Sequence, residues 1–97
     1  MRAVVLVLLA LLVQAGQPAA LLRITVSVPD AGGQPRPVPR HALLISDNPV
    51  TAAPQRAVTN IDGIAEIRLA PGNYTVESDQ PFIFGGQSYQ WSQTLDV

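Results

Sequence analysis

The sequence predicts a small all-β domain behind an apolar leader, and three observations carry that expectation. After about residue 20 no stretch shows a helical period, while short runs of alternating apolar and polar residues recur about every dozen residues. Turn signals separate those runs: Asp30-Ala31-Gly32-Gly33, Asp47-Asn48-Pro49, Asp62-Gly63 and Pro71-Gly72. The chain has 97 residues and no cysteine, room for one domain held by its apolar core alone. These features point to an antiparallel sandwich or small barrel of about six to seven strands.

The leader comes first. Met1-Arg2 is a short positive start, Ala3–Val13 is an uninterrupted apolar run, and Val13-Gln14-Ala15 offers small or modest residues at the positions a signal peptidase reads. Residues 1–15 are therefore expected to be a cleaved signal peptide, its boundary lying between residue 15 and about residue 20. A membrane span needs roughly 20 apolar residues, and this run stops at Gln14. Cleavage after Ala15 leaves five arginines against seven Asp and Glu. That balance offers no basic stripe for nucleic acid, and the export signal implies a secreted, periplasmic or envelope protein.

The first strand is read in Leu22-Arg23-Ile24-Thr25-Val26-Ser27-Val28, whose even positions are apolar. Prolines 35, 37 and 39 make the next segment an extended edge approach, because each lacks an amide donor. Ala42-Leu43-Leu44-Ile45 forms a second strand whose inward face is open between Ala42/Leu44 and Leu43/Ile45. Residues 50–57 read as a loop, with room for a short strand near Val50 and Thr51, and Arg56–Asn60 returns to strand.

The densest signals lie between Thr59 and Ser78. Asp62-Gly63 is expected to be a hairpin corner, with Asp accepting backbone hydrogen bonds and Gly supplying positive φ. Ala65, Ile67 and Leu69 then share one face of a strand. Pro71-Gly72 is expected to be a type II turn with Gly72 left-handed, and Tyr74 and Val76 continue the inward face. Next come Pro81, Phe82, Phe84, Gly85 and Gly86, which read as an aromatic loop closing one end of the core. Tyr89, Trp91, Leu95 and Val97 share a face of a final strand running to the last residue, as in one module of a longer protein.

The pattern Thr59-Asn60-Ile61-Asp62-Gly63, the alternating strand, Pro71-Gly72 and Tyr74-Thr75-Val76 resembles the carboxypeptidase regulatory-like domains, relatives of the transthyretin-like and Cna protein B-type modules. The resemblance covers residues 22–97 and is specific over Thr59–Val76. It implies a prealbumin-like sandwich and a noncatalytic accessory, spacer or partner-docking role in an exported or envelope protein. The chain has no lysine, so the isopeptide bond common in Cna-type modules cannot form, and His41 alone does not supply the several histidines of transthyretin-like hydrolases.

No catalytic, cofactor or metal site is therefore expected. His41 and the serines lack a visible constellation for acid–base or nucleophilic work. Asn60, Asp62 and Glu66 are too few oxygen donors for calcium, and Asn73-Tyr74-Thr75 fits a glycosylation acceptor that the bacterial-looking context leaves unused. The candidate surface is Phe82, Phe84, Tyr89 and Trp91. Phe82 and Phe84 are expected to be exposed and to dock a neighbouring domain or protein; Tyr89 and Trp91 are expected to pack in the core or against a neighbouring domain. The alternative is a carbohydrate or peptide binding module that uses these aromatics.

Overall fold

A computed structural model of the protein describes residues 19–97. The expected signal peptide, residues 1–15, lies outside the described residues. The rest is all-β and antiparallel, in ten short strands: β1 (Ala20–Thr25), β2 (Ser27–Pro29), β3 (Pro35–Pro37), β4 (Ala42–Asp47), β5 (Gln55–Val58), β6 (Ile64–Leu69), β7 (Asn73–Ser78), β8 (Phe82–Phe84), β9 (Gln87–Tyr89) and β10 (Ser92–Asp96). A four-stranded sheet has the order β10-β7-β4-β5, β1 pairs with β6, and two small hairpins are formed by β2 with β3 and β8 with β9.

The count exceeds the expected six to seven strands because two long runs change partners midway and Phe82–Phe84 forms a further strand. In the first, Thr25 lies opposite Ile64, and the Val26 N–H still reaches the Gly63 carbonyl, but the Val26 carbonyl accepts from Val38 N–H instead. The chain leaves β6 there and continues as β2 against β3. In the last run, Tyr89 pairs with Phe82 whereas Ser92 pairs with Glu77. The strand expected to reach the final residue is thus broken at Gln90-Trp91, and β10 ends at Asp96.

Alternation fixes the core. Val26 and Val28 are buried, with Leu22 and Ile24 packed partly against the same cluster. In β4 the inward face is Leu43 and Ile45, 1% and 2% exposed, because β4 sits between β7 and β5 and must fill the centre. Ala65 and Leu69 of β6 face inward with Ile67 half-buried, while Glu66 and Arg68 face water. Val76 is buried and Tyr74 half-buried, the Tyr74 hydroxyl donating to the Ala70 carbonyl at 2.8 Å. The arrangement is sandwich-like: residues of β1, β2 and β6 share one apolar cluster with residues of β4, β5 and β7, and β6 approaches β5.

Prolines 35 and 37 lie on the edge strand β3, opposite Pro29 and Ser27, as the missing amides require. The turn before it is held by Asp30. Its Oδ1 accepts the Gly32 and Gln34 amides at 2.9 Å, and its Oδ2 accepts Arg36 Nε at 2.9 Å. The segment 50–54 contains no strand; Asp47 caps it by accepting the Thr51 amide and hydroxyl.

Both glycine corners differ from expectation. At Asp62-Gly63 the acceptor is Asn60, whose Oδ1 takes the Asp62 and Ile64 amides at 2.9 and 3.0 Å. Gly63 has the expected positive φ, 75°, but the turn does not join paired strands: β5 pairs with β4, and β6 with β1. Pro71-Gly72 also passes from one sheet to another, since β7 pairs with β4 and β10. Gly72 is not left-handed; it and Val97 exchange backbone hydrogen bonds at 2.8 and 3.1 Å, so it is in effect an extension of the β7–β10 ladder.

Candidate functional site

The four aromatics singled out in the sequence gather at one end of the domain around His41. Gly85 and Gly86 both have positive φ, the requirement of a two-residue hairpin turn, so Phe82 and Phe84 lie on a strand and not in the expected loop. Phe82 stacks on Phe84 at 6.1 Å between centroids, and Tyr89 on Trp91 at 6.2 Å. His41 meets Trp91 edge-on at 5.1 Å and Phe82 at 6.2 Å. The expectation that Phe82 and Phe84 form an exposed patch fails: both are half-buried and pack on the core. Alternation turns Ile83 outward instead, at 66% exposure.

His41 is 6% exposed, and its side-chain and amide contacts join strands. Its backbone N–H donates to Thr59 Oγ1 at 2.8 Å, and that hydroxyl donates to the Val38 carbonyl at 2.6 Å. Its ring Nε2 lies 2.9 Å from Ser78 Oγ, which also accepts the Trp91 backbone N–H at 2.9 Å. Burial among apolar rings holds the imidazole pKa below its ordinary value, favouring the neutral form. A neutral imidazole beside a serine hydroxyl has the spacing of a base and nucleophile. Here the serine oxygen is also a bracket, tying the end of β7 to the chain entering β10.

The other candidates are occupied by structure. Asn60 Oδ1 holds its own turn, and Glu66 pairs with Arg23 directly across β1–β6 at 2.7 Å. Among the described residues no three His, Cys, Asp or Glu side chains could hold one metal ion. The Asn73 side chain donates to Asp96 Oδ1 and accepts from Asn48 Nδ2, each at 2.8 Å, so the glycosylation acceptor is bonded at both its ends.

A second feature was not visible in the sequence. A groove of about 270 Å³ opens between β1 and β10, walled by Leu22 and Ile24 on one side and Trp91 and Leu95 on the other, with Leu43 and Val76 as its floor. The alternation of both strands was legible; that they lie on either side of an open seam depends on sheet order, which no local pattern encodes. Trp91 belongs to both features, one edge toward His41 and one side lining the groove.

Comparison of the chain with family models, with curated proteins and with solved structures finds no match. Among the described residues no helix is long and apolar enough to cross a membrane.

Proposed function

We propose that this chain is a noncatalytic docking or spacer module of an exported or envelope protein, built as a carboxypeptidase regulatory-like β-sandwich. The observation that supports it is how the reactive and aromatic groups are used. His41, Ser78, Phe82, Phe84, Tyr89 and Trp91 bond and stack on one another to close one end of the core. The resemblance over Thr59–Val76 supports the family reading, and the physical reason for its residues is visible: Thr59 bonds the Val38 and His41 backbones, and Gly63 supplies the carbonyl on which Val26 turns. A carbohydrate platform requires an open ring face; Tyr89 stacks on one side of the Trp91 ring, and the side left open lines the β1–β10 groove.

Two measurements on the full chain test this. A fluorophosphonate probe should leave Ser78 unlabelled; labelling lost in His41→Gln would establish a working nucleophile and overturn the noncatalytic reading. A photo-cross-linking residue placed at Ile83, in cells exporting the protein, should capture one extracytoplasmic protein. Absence of any cross-link from Ile83, from Ile61 and from the β1–β10 face would overturn the docking role.

A further inference from the structure

The two layers of this domain differ in width. Four strands form one sheet, whereas the strands that share its core are only two abreast, β1 with β6 and then, along the same run, β2 with β3. Neighbouring strands are about 4.8 Å apart, so the four-stranded layer is about 14 Å across between its outer axes and the two-stranded layer about 5 Å. Because β6 approaches β5, the shortfall falls on the β1 side. There the buried residues Leu43 and Val76 become the floor of the groove.

The groove also has backbone partners to offer. Val26 N–H is directed at Gly63, so by antiparallel alternation Leu22 and Ile24 direct their amides and carbonyls to β6, whereas Leu21, Arg23 and Thr25 direct theirs to the open side. Across the groove, Val97 and Gly72 exchange both bonds. Leu95 and Gln93 therefore face β7, and Ser92, Thr94 and Asp96 face out. Two strand edges thus border one apolar trough, and an unpaired edge is a template for another strand.

A second copy of the chain does not fit this template. Joining β1 to its symmetry mate would bring two four-stranded layers together, each projecting about two strand spacings beyond β1; the projecting β10 strands would collide. Nor does the area suit a dimer. The six residues of β1 span about 20 Å, and a trough of that length and one strand width is far below the roughly 1,600 Å² of a standard stable interface. Among the described residues lining the trough only Arg23 is charged, and it is already matched by Glu66, so the trough calls for an uncharged occupant.

We infer that the β1–β10 groove accepts a single extended peptide segment of another polypeptide, which adds as a third strand on the free edge of β1 and inserts alternate aliphatic side chains over Leu43 and Val76. This rests on the docking reading and names the partner's chemistry: main-chain hydrogen bonds supply affinity, and apolar side chains at every second position supply selectivity.

The test uses the full chain and the synthetic peptide acetyl-Ser-Val-Thr-Val-Thr-Val-Ser-amide, followed by NMR. Saturable shifts at Leu22, Ile24, Leu95 and the Trp91 indole are expected, with slowed exchange at the Arg23 and Thr25 amides. Two N-methylated peptides, methylated at the odd or at the even amides, separate edge pairing from simple apolar adsorption. One should lose at least tenfold in affinity and the other retain it; equal affinity for both overturns the inference. Thr25→Pro removes one outward amide and should weaken binding while leaving the β1–β6 pairing in place, and the methylated peptides decide the matter if that variant does not fold. Shifts centred on the β8–β9 hairpin, or no binding at millimolar peptide, also overturn it. Absence of peptide binding with a cross-link from Ile83 or Ile61 removes only the groove; absence of peptide binding and of every cross-link removes the docking reading as well.

Discussion

Replacing Gly63 with alanine should damage this domain more than the same change at Gly33 or Gly72. Gly63 has φ of 75°, and a Cβ there would stand 2.6 Å from the Val26 carbonyl oxygen, 3.0 Å from the Val38 nitrogen and 3.1 Å from Pro37 Cβ. All three neighbours are backbone or proline ring, and two of them belong to the hydrogen bond that turns the chain from β1 into β2. Left-handed backbone costs a non-glycine residue about 1–2 kcal/mol, and forcing atoms into a packed site costs about 1–3 kcal/mol. Loss of unfolded-state freedom offsets about 0.4–1 kcal/mol, leaving a net loss of about 3 kcal/mol. A domain of this size has only about 4–12 kcal/mol in total, and the melting temperature should fall by about 12–24 °C.

Two controls isolate the causes. Gly33 has nearly the same φ, 79°, but nothing within 4 Å of its Cβ position, so Gly33→Ala should lose only about 1 kcal/mol. Gly72 is not left-handed, and a Cβ would meet only the Tyr74 ring at 3.6 Å, an ordinary contact; Gly72→Ala should be neutral or slightly stabilising. Urea unfolding followed by the fluorescence of Trp91, the single tryptophan, measures all three. If Gly63→Ala and Gly33→Ala agree within about 0.5 kcal/mol, close backbone approach at Gly63 is not what the position requires.

Thr59→Val should cost about 2–4 kcal/mol, because one buried hydroxyl serves both the His41 amide and the Val38 carbonyl; Thr59→Ser keeps both bonds and should recover most of the loss in the same urea assay. Arg40 is the one non-glycine residue with positive φ among those described, at 56°, and Arg40→Gly should stabilise by about 0.5 kcal/mol, the relief of strain less the added chain entropy; a destabilised variant refutes the strain. The folded His41 pKa lies below its ordinary 6.5, so the unfolded chain takes up the proton first, and the stability from this residue is complete above about pH 6.5 and declines as pH falls below it. Calorimetry from pH 7.5 to 5 should show that decline, and His41→Gln should remove it. Asp30 and Asp47 also have pKa values held below 3.8, Asp30 chiefly by the Gln34 amide and then Arg36, and Asp47 chiefly by the Thr51 hydroxyl. Their stabilisation is present above about pH 3.8 and lost on acidification below it, a separate window.

The strand faces were legible in the sequence because they depend only on a period of two. Leu22, Ile24, Val26 and Val28, then Ala65, Ile67 and Leu69, then Tyr74 and Val76, take the faces their alternation assigns. Corners were legible as turns but not as connections. Asp62-Gly63 and Pro71-Gly72 both reverse the chain, yet whether a reversal returns along the same sheet or crosses to another depends on which strand is already beside it. The Phe82–Tyr89 hairpin was hidden because its runs are only three residues long, too short for a period to register beside two glycines. The setting of His41 was hidden for a different reason: its partners lie 18, 37 and 50 positions away at Thr59, Ser78 and Trp91. No local pattern links them.

Sheet order also explains why the core closes on one side and opens on the other. The Gly63 carbonyl ends the β1–β6 ladder at Val26, and the Val26 carbonyl then takes Val38 in place of another β6 residue. From that point the chain is committed to the β2–β3 hairpin, whose prolines at 35 and 37 restrict it to an edge. The segment that could have lain beside β1 as a third strand is thereby used at the end of the layer. The opposite layer meanwhile gains β10 from the chain's last run, held by Gly72 and Val97. One layer stops at two strands while the other reaches four, and the seam between β1 and β10 follows from the same turn that makes Thr59–Gly63 the best-defined stretch of the sequence. Filling that seam from within would require releasing the Val26–Val38 bond; an added strand from outside requires no rearrangement of the core.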